Sequence, residues 1–424
     1  MLSKKMNAET KARRSNLLWM LASVSLLVVI GLENILSSTF VLDEGASLSG
    51  YLGKQLGFLV AGVVIARVIW KLGYQFIRRW CSKIVLINIV CLIAVKFVGI
   101  TVNGARRWLG FGAFSFQPSE FAKLAAIITM AAAIAFYLER HGNKELMSLH
   151  LRNIFPIDKL ERKIPFGKRL FALFLNRYGL FAFFPTLFFA FLVALQPDAG
   201  TAIVIFFPVL MMFFCCELTV IHTKFSWKQR LAFAIGVVAL IGLGVYLFAH
   251  SYQMMRIVTW WDPWPYSQSS GYQTVQSYIA VGSGGVFGQG MGTGISKLNY
   301  LPEAHTDFAF AVIAQEWGLI GAVTVLFLFC SLLSVGVKTA IRCRDRFGTF
   351  LALGITFSLC IQGLINMAMV TGIVPVVGVP LPFISYGGSS LILNIISVTF
   401  LLRISYDNFC EAEAGQADVE QEPF

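Results

Sequence analysis

Long apolar runs, separated by short links that are basic or rich in Gly and Pro, dominate the chain. Ten stretches approach or exceed the roughly 20 mostly apolar residues needed to cross a bilayer as a helix. They are 16–36, 52–70, 84–100, 119–137, 179–195, 201–217, 231–249, 308–337, 348–371 and 385–405. The pattern predicts an all-α polytopic membrane protein with about ten transmembrane helices and a large extracytoplasmic loop between helices 7 and 8. The first run is too long for a signal-peptide core and has no small-residue cleavage site, so it is expected to stay as an anchor. No repeat of solenoid period is visible.

Composition supports the membrane reading. Of 424 residues, 57% are hydrophobic and 13% charged, with a mean hydropathy of +0.72. Soluble domains carry about a quarter charged residues, so a water-soluble enzyme is excluded. The net charge of +12 does not point to nucleic acid, because the basic residues sit in clusters between spans and form no aromatic-interleaved groove. With both termini in the cytoplasm, 26 Lys and Arg residues fall in inner loops and five fall outside: Lys54, Arg106, Arg107, Arg256 and Lys297. That imbalance sets the expected topology. All eight cysteines lie in spans or inner segments, which argues against a disulfide framework, and no CxxC pair occurs. Three regions are expected: a basic cytoplasmic N-terminus at 1–15, a transmembrane domain at 16–406, and an acidic, disordered cytoplasmic tail at 407–424. The inner loop 138–178 is basic and contains IDKLERKI, suited to an anionic leaflet.

The outer loop 250–307 concentrates candidate chemistry. It holds MMRIVTWWDPWPYSQSSGYQ, VGSGGVFGQGMGTG and YLPEAHTD. Trp260, Trp261 and Trp264 read equally as an interfacial belt or as faces for sugar rings. The glycine run lacks the flanks of a nucleotide loop and suits close backbone approach to a lipid-linked ligand. Three outer carboxylates stand out. Asp262 precedes a proline and fits a turn; Asp198 in QPDAGTA reads equally as an N-cap or a functional group; Asp307 follows His305 at the mouth of an apolar helix and reads as its N-cap or as a functional group. A partly desolvated carboxylate has a raised pKa, which suits a general base. Arg106 and Arg107, on the side poor in cations, suit an anionic ligand because guanidiniums pair bidentately with phosphate. Glu120 and Lys123, three apart, fit an ion pair within a span. Glu33, Lys96 and Glu316 also lie in spans. The link VPVVGVPLPFISYGGSS reads as a broken helix around an outward cavity.

Six blocks carry a family likeness: NGARRW (103–108), FSFQPSEFAK (114–123), QPDAGTA (196–202), GYQTVQSYIAVGSGG (271–285), LPEAHTDFAFAVIAQEWG (301–318) and PLPFISYGGSS (380–390). In this order they resemble the SEDS family (FtsW/RodA/SpoVE), with PEAHTDF and PFISYGGSS closer to the division branch, FtsW. The resemblance implies ten helices and a peptidoglycan glycosyltransferase that polymerises lipid II outside the cytoplasmic membrane. It implies Asp307 as the essential carboxylate, with Arg106, Arg107, Trp108 and Asp198 as mapped site positions. Glu303, His305, Glu120, Lys123, Ser385 and Gly387 lie in the shared blocks and are candidate substrate-binding residues. The implied partners are lipid II, undecaprenyl-pyrophosphate-linked glycan, a class B penicillin-binding protein (an FtsI-like transpeptidase) and other divisome proteins. Two departures occur: Gln315 stands where a Glu often precedes Glu316, and the 138–178 loop is longer than usual.

The expected reaction is attack by a lipid II 4-hydroxyl on the anomeric carbon of the growing strand, with inversion. Asp307 is the base, the arginines stabilise the departing pyrophosphate, and Mg²⁺ or Mn²⁺ is a candidate cofactor with Asp307 as an alternative ligand. No organic cofactor is expected. Rival readings are a lipid II flippase, an elongation polymerase of the RodA type, and a scaffold for a transpeptidase. The polar and Gly/Pro-rich segments lie mostly outside, which favours a one-sided enzyme.

Overall fold

The computed structural model describes residues 2–39, 50–102, 105–111, 114–141, 177–196, 198–219, 251–294 and 300–421. The expected span at 231–249, most of the 138–178 loop, and the outer residues Asp43, Glu44 and Lys297 lie outside them. Twelve α-helices are described: α1 Leu2–Thr39, α2 Tyr51–Leu72, α3 Tyr74–Val98, α4 Pro118–His141, α5 Arg177–Ala194, α6 Ala199–Thr219, α7 Ser251–Trp261, α8 Tyr272–Ser283, α9 Ala309–Glu316, α10 Gly318–Arg342, α11 Arg346–Val370 and α12 Gly388–Gln421. Among them, α1–α4, α6 and α10–α12 are long and apolar enough to cross a membrane. At 1.5 Å per residue the 22-residue α2 reaches about 33 Å, enough for a bilayer core.

Helices α4 and α11 form the centre of the bundle. They are buried along most of their length and pack on each other, with α3, α5 and α6 around α4 and with α6, α10 and α12 around α11. A helix that is apolar on every side belongs in such a place. Asp345 starts α11, its carboxylate accepting from Gly348 N at 2.8 Å, a strong N-cap. Helices α2 and α3 instead leave much of their apolar surface exposed, including Val60, Val64, Leu86 and Val90, as lipid-facing helices do.

Two observations correct the sequence reading and a third adds to it. First, the 308–337 run is two helices. Gly318 has φ +66°, a left-handed conformation that favours glycine, and separates α9 from α10. The glycine turn after α8 satisfies the broken ends: Gln289 N donates to Gln315 O and Gly290 N to Glu316 O, both at 3.0 Å, while Leu319 N donates to Gly285 O at 2.9 Å.

Second, the acidic tail is helical rather than disordered as far as Gln421. Extending an existing helix through EAEAGQ requires no new nucleus, and Arg344 reaches Glu411 at 3.5 Å. Third, the fold is nearly but not wholly α. Residues 100–116 form an antiparallel sheet of β1 (Ile100–Val102), β2 (Ala105–Phe111) and β3 (Phe114–Phe116). The described part of the outer loop contains α7, a 3₁₀ turn at Trp264–Tyr266, and α8.

Candidate active site

Two irregular segments meet at the end of α11. The 301–308 turn precedes α9, and the 371–387 link joins α11 to α12. Their backbones are stitched together: Ser385 Oγ donates to Thr306 O at 2.6 Å, and Tyr386 N donates to His305 O at 2.8 Å. Leu381 N donates back to Ser385 Oγ at 2.8 Å. The rings of His305, Tyr51 and Tyr386 cluster, with His305–Tyr51 centroids 4.9 Å apart. Glu303 adopts φ +58° and its carboxylate accepts from Thr306 Oγ1 at 2.6 Å. The PEAHTD turn is thus held from within and from the opposite link.

Asp307 sits at the centre of this arrangement. The N-cap of α9 falls on Phe308, with no capping side chain, so Asp307 does not fill that structural role. Gly378, at φ +68°, comes so close that a Cβ there would stand 3.2 Å from Asp307 Oδ2 and 3.8 Å from Arg256 Nη1. Arg256, from α7, is anchored by donating from Nη1 to Val376 O at 3.0 Å. Burial pushes the Asp307 carboxyl up from 3.8 to about 7. The Glu303 charge pushes the same way, Arg256 opposes it, Asp198 adds a smaller rise and Arg107 a smaller fall. An acid held near neutrality beside two cations can take a proton from a hydroxyl and keep an anion close by.

The structure brings Asp307, Glu303, Asp198 and Arg107 into one electrostatic neighbourhood. Asp198 also caps α6, accepting from Thr201 N at 3.1 Å, as the N-cap reading of QPDAGTA expected. The two arginines of NGARRW do not act as a clamp on one point. They are consecutive on β2 at a bulge, where Thr101 opposes Arg106 and Ile100 opposes Trp108, and they bond different groups. Arg107 Nε donates to Gln196 O at 3.2 Å, next to Asp198 in sequence. Arg106, exposed, bonds Thr101 Oγ1 at 3.3 Å and Lys96 O. Trp108 lies on β2 opposite Ile100.

Ser385 holds backbone, whereas Gly387 is itself held, its N donating to Gln55 Oε1 at 3.3 Å. Asp262 forms the expected turn, accepting from Trp264 N. Trp260 Nε1 donates to Gly372 O at 2.8 Å, whereas Trp261 and Trp264 are exposed. Glu120 and Lys123 pair at 2.8 Å within α4, beside a cavity of about 20 Å³ lined by Ser358, Gln362, Asn394 and Ser397. Lys123 Nζ also donates to Gln362 Oε1 at 2.7 Å, and Gln362 Nε2 to Pro380 O at 2.8 Å. The pair therefore supports the 371–387 link from below.

Sequence reasoning counted Arg256 among the outer cations but did not place it at the site. Its rarity on that side was the available signal. Among the described residues no three His, Cys, Asp or Glu side chains gather closely enough to hold a metal ion.

Comparison with known proteins agrees with this architecture. Residues 16–409 match the FTSW_RODA_SPOVE family model, described as cell cycle protein. A probable peptidoglycan glycosyltransferase FtsW of Geobacter sp. (strain M18) is 34% identical over 90% of this chain and 94% of its own length. Stage V sporulation protein E of Bacillus subtilis (strain 168) is 35% identical over 93% and 98%. Among solved structures, a chain of a peptidoglycan synthase complex that coordinates polymerization and crosslinking aligns with TM-score 0.66 and 25% identity, over 92% of this chain and 97% of that one. The rod shape determining protein RodA of Thermus thermophilus aligns with TM-score 0.59 and 25% identity, over 92% and 96%. On its matched length, its relatives and its fold, the chain belongs to the FtsW/RodA/SpoVE family of multi-pass membrane proteins.

Proposed function

We propose that this protein is a peptidoglycan glycosyltransferase that polymerises lipid II at the outer face of the cytoplasmic membrane, for septal wall synthesis in division. The observation that carries the site assignment is the enclosed Asp307 carboxyl, pushed up to about 7 and set beside Arg256 and Gly378. In the proposed step, Asp307 takes the proton of the lipid II 4-hydroxyl as its oxygen forms a bond to the anomeric carbon of the growing strand. The bond from that carbon to the pyrophosphate oxygen breaks, with inversion, and undecaprenyl pyrophosphate leaves. Arg107 and Arg256 offset the charge that builds on the leaving group. A Mg²⁺ or Mn²⁺ ion held at Asp307 would take substrate oxygens for the rest of its shell.

The bias of basic residues supports cytoplasmic termini. The resemblance of the chain to a component of a peptidoglycan synthase complex supports a class B penicillin-binding protein as partner. The test is polymerisation of purified lipid II, read as glycan product on a gel, with and without that partner. Asp307→Ala and Asp307→Asn are expected to make no polymer; wild-type product from both would remove Asp307 from the chemistry. The likeness to RodA favours elongation as the second reading. Depletion that blocks septation would support the division role, and depletion that rounds rod-shaped cells would support elongation.

A further inference from the structure

Two amides stand one turn apart on α11, Gln362 and Asn366, and both donate to the link that faces Asp307. Gln362 holds Pro380 O. Asn366 does more: Nδ2 donates to Val379 O at 2.7 Å and to Asp307 O at 2.8 Å. Both hydrogens of one amide are thus used, one on each of the two segments that meet at the site. The orientation is fixed by chemistry, since a flipped amide would set Oδ1 against two carbonyl oxygens.

Asn366 is fully buried, and its Oδ1 accepts from no group among the described residues. A buried acceptor left unpaired costs about 1–3 kcal/mol, so an aliphatic side chain would suit packing alone better. What the amide supplies is a fixed spacing. It ties the backbone at residue 307 to Val379, next to Gly378, whose lack of a Cβ leaves room for Asp307 Oδ2. The same link holds Arg256 through Val376 O.

We propose that Asn366 is a positioning residue for the reaction, clamping the Asp307 turn to the 376–379 segment so that the carboxylate and the Arg256 guanidinium keep a working separation. The proposal rests on the reading of Asp307 as proton acceptor. Displacement of a reacting group by about 1 Å can cost roughly 100-fold in rate.

The test uses the purified full-length protein with its partner and lipid II, comparing Asn366→Ala and Asn366→Thr with wild type. Expected are a kcat lower by about 10- to 100-fold, a KM within about threefold, and a displaced midpoint in the pH dependence of kcat. Amide hydrogen exchange is expected to quicken in both 303–308 and 376–381 in either variant, including one too inactive to assay. A wild-type kcat with an unmoved midpoint would overturn the proposal, as would a loss of activity with exchange in both segments unchanged. Asp307→Asn separates the two readings. Full activity there removes the proton acceptor, whereas an inactive Asp307→Asn beside a wild-type-like Asn366→Ala removes only the positioning role.

Discussion

Asp307→Asn is expected to abolish polymerisation and, at alkaline pH, to make the protein more stable. A carboxyl that binds its proton more tightly in the folded than in the unfolded chain favours the fold while protonated. As pH rises from the unfolded value near 3.9 past the folded value of about 7, ionisation inside the site progressively costs stability. The rise from 3.8 to about 7 corresponds to roughly 4 kcal/mol at about 1.4 kcal/mol per tenfold. Asp307 keeps some contact with solvent, and screening reduces that to about 1–2 kcal/mol. Asparagine has nearly the same shape and carries no charge, so it removes this cost. The assay is thermal unfolding of wild type and Asp307→Asn in detergent at pH 5 and pH 8. The variant should melt a few degrees higher at pH 8 and gain only about a third as much at pH 5, where the folded carboxyl is protonated but the unfolded one is already ionised. An equal gain at both values, or a loss at pH 8, would refute the claim that the folded site resists the charge it needs for catalysis.

The same group sets the pH dependence of the rate. With the base ionising at about 7, kcat at pH 6 should be about one-tenth of its alkaline plateau. Glu303→Gln should move the midpoint down and Arg256→Gln should move it up, measured as initial rates of lipid II polymerisation; unmoved midpoints would detach both residues from Asp307. Gly378→Ala places a methyl 3.2 Å from Asp307 Oδ2 in backbone at φ +68°. It should cost at least about 1 kcal/mol of stability and about tenfold or more in kcat, read by melting and product gels. Lys123→Met strands the buried Glu120 carboxylate and should destabilise by about 3–5 kcal/mol. Adding Glu120→Gln should recover part of that loss, and a double variant no better than the single would remove the ion pair as the cause.

Apolar run length made most of the membrane helices legible, because nothing but a helix satisfies its own backbone in lipid. It could not show the break at Gly318, since α9 and α10 are both apolar and only the glycine turn packed beside them makes the interruption affordable. The spacing of three made Glu120–Lys123 readable because both partners lie on one helix. Arg106 and Arg107, adjacent in sequence, bond different groups, because adjacency says nothing about direction until the local structure, here a bulged strand, is known. Arg256 reaches the site from α7, more than a hundred residues before the Val376 carbonyl that anchors it. Asn366, like Gln362, lies inside an apolar run where an amide carries no local signal; only its bonds to Asp307 O and Val379 O give it meaning. The part of the site that stayed hidden is therefore the part made by long-range hydrogen bonds to backbone carbonyls, which every residue possesses and no sequence position advertises.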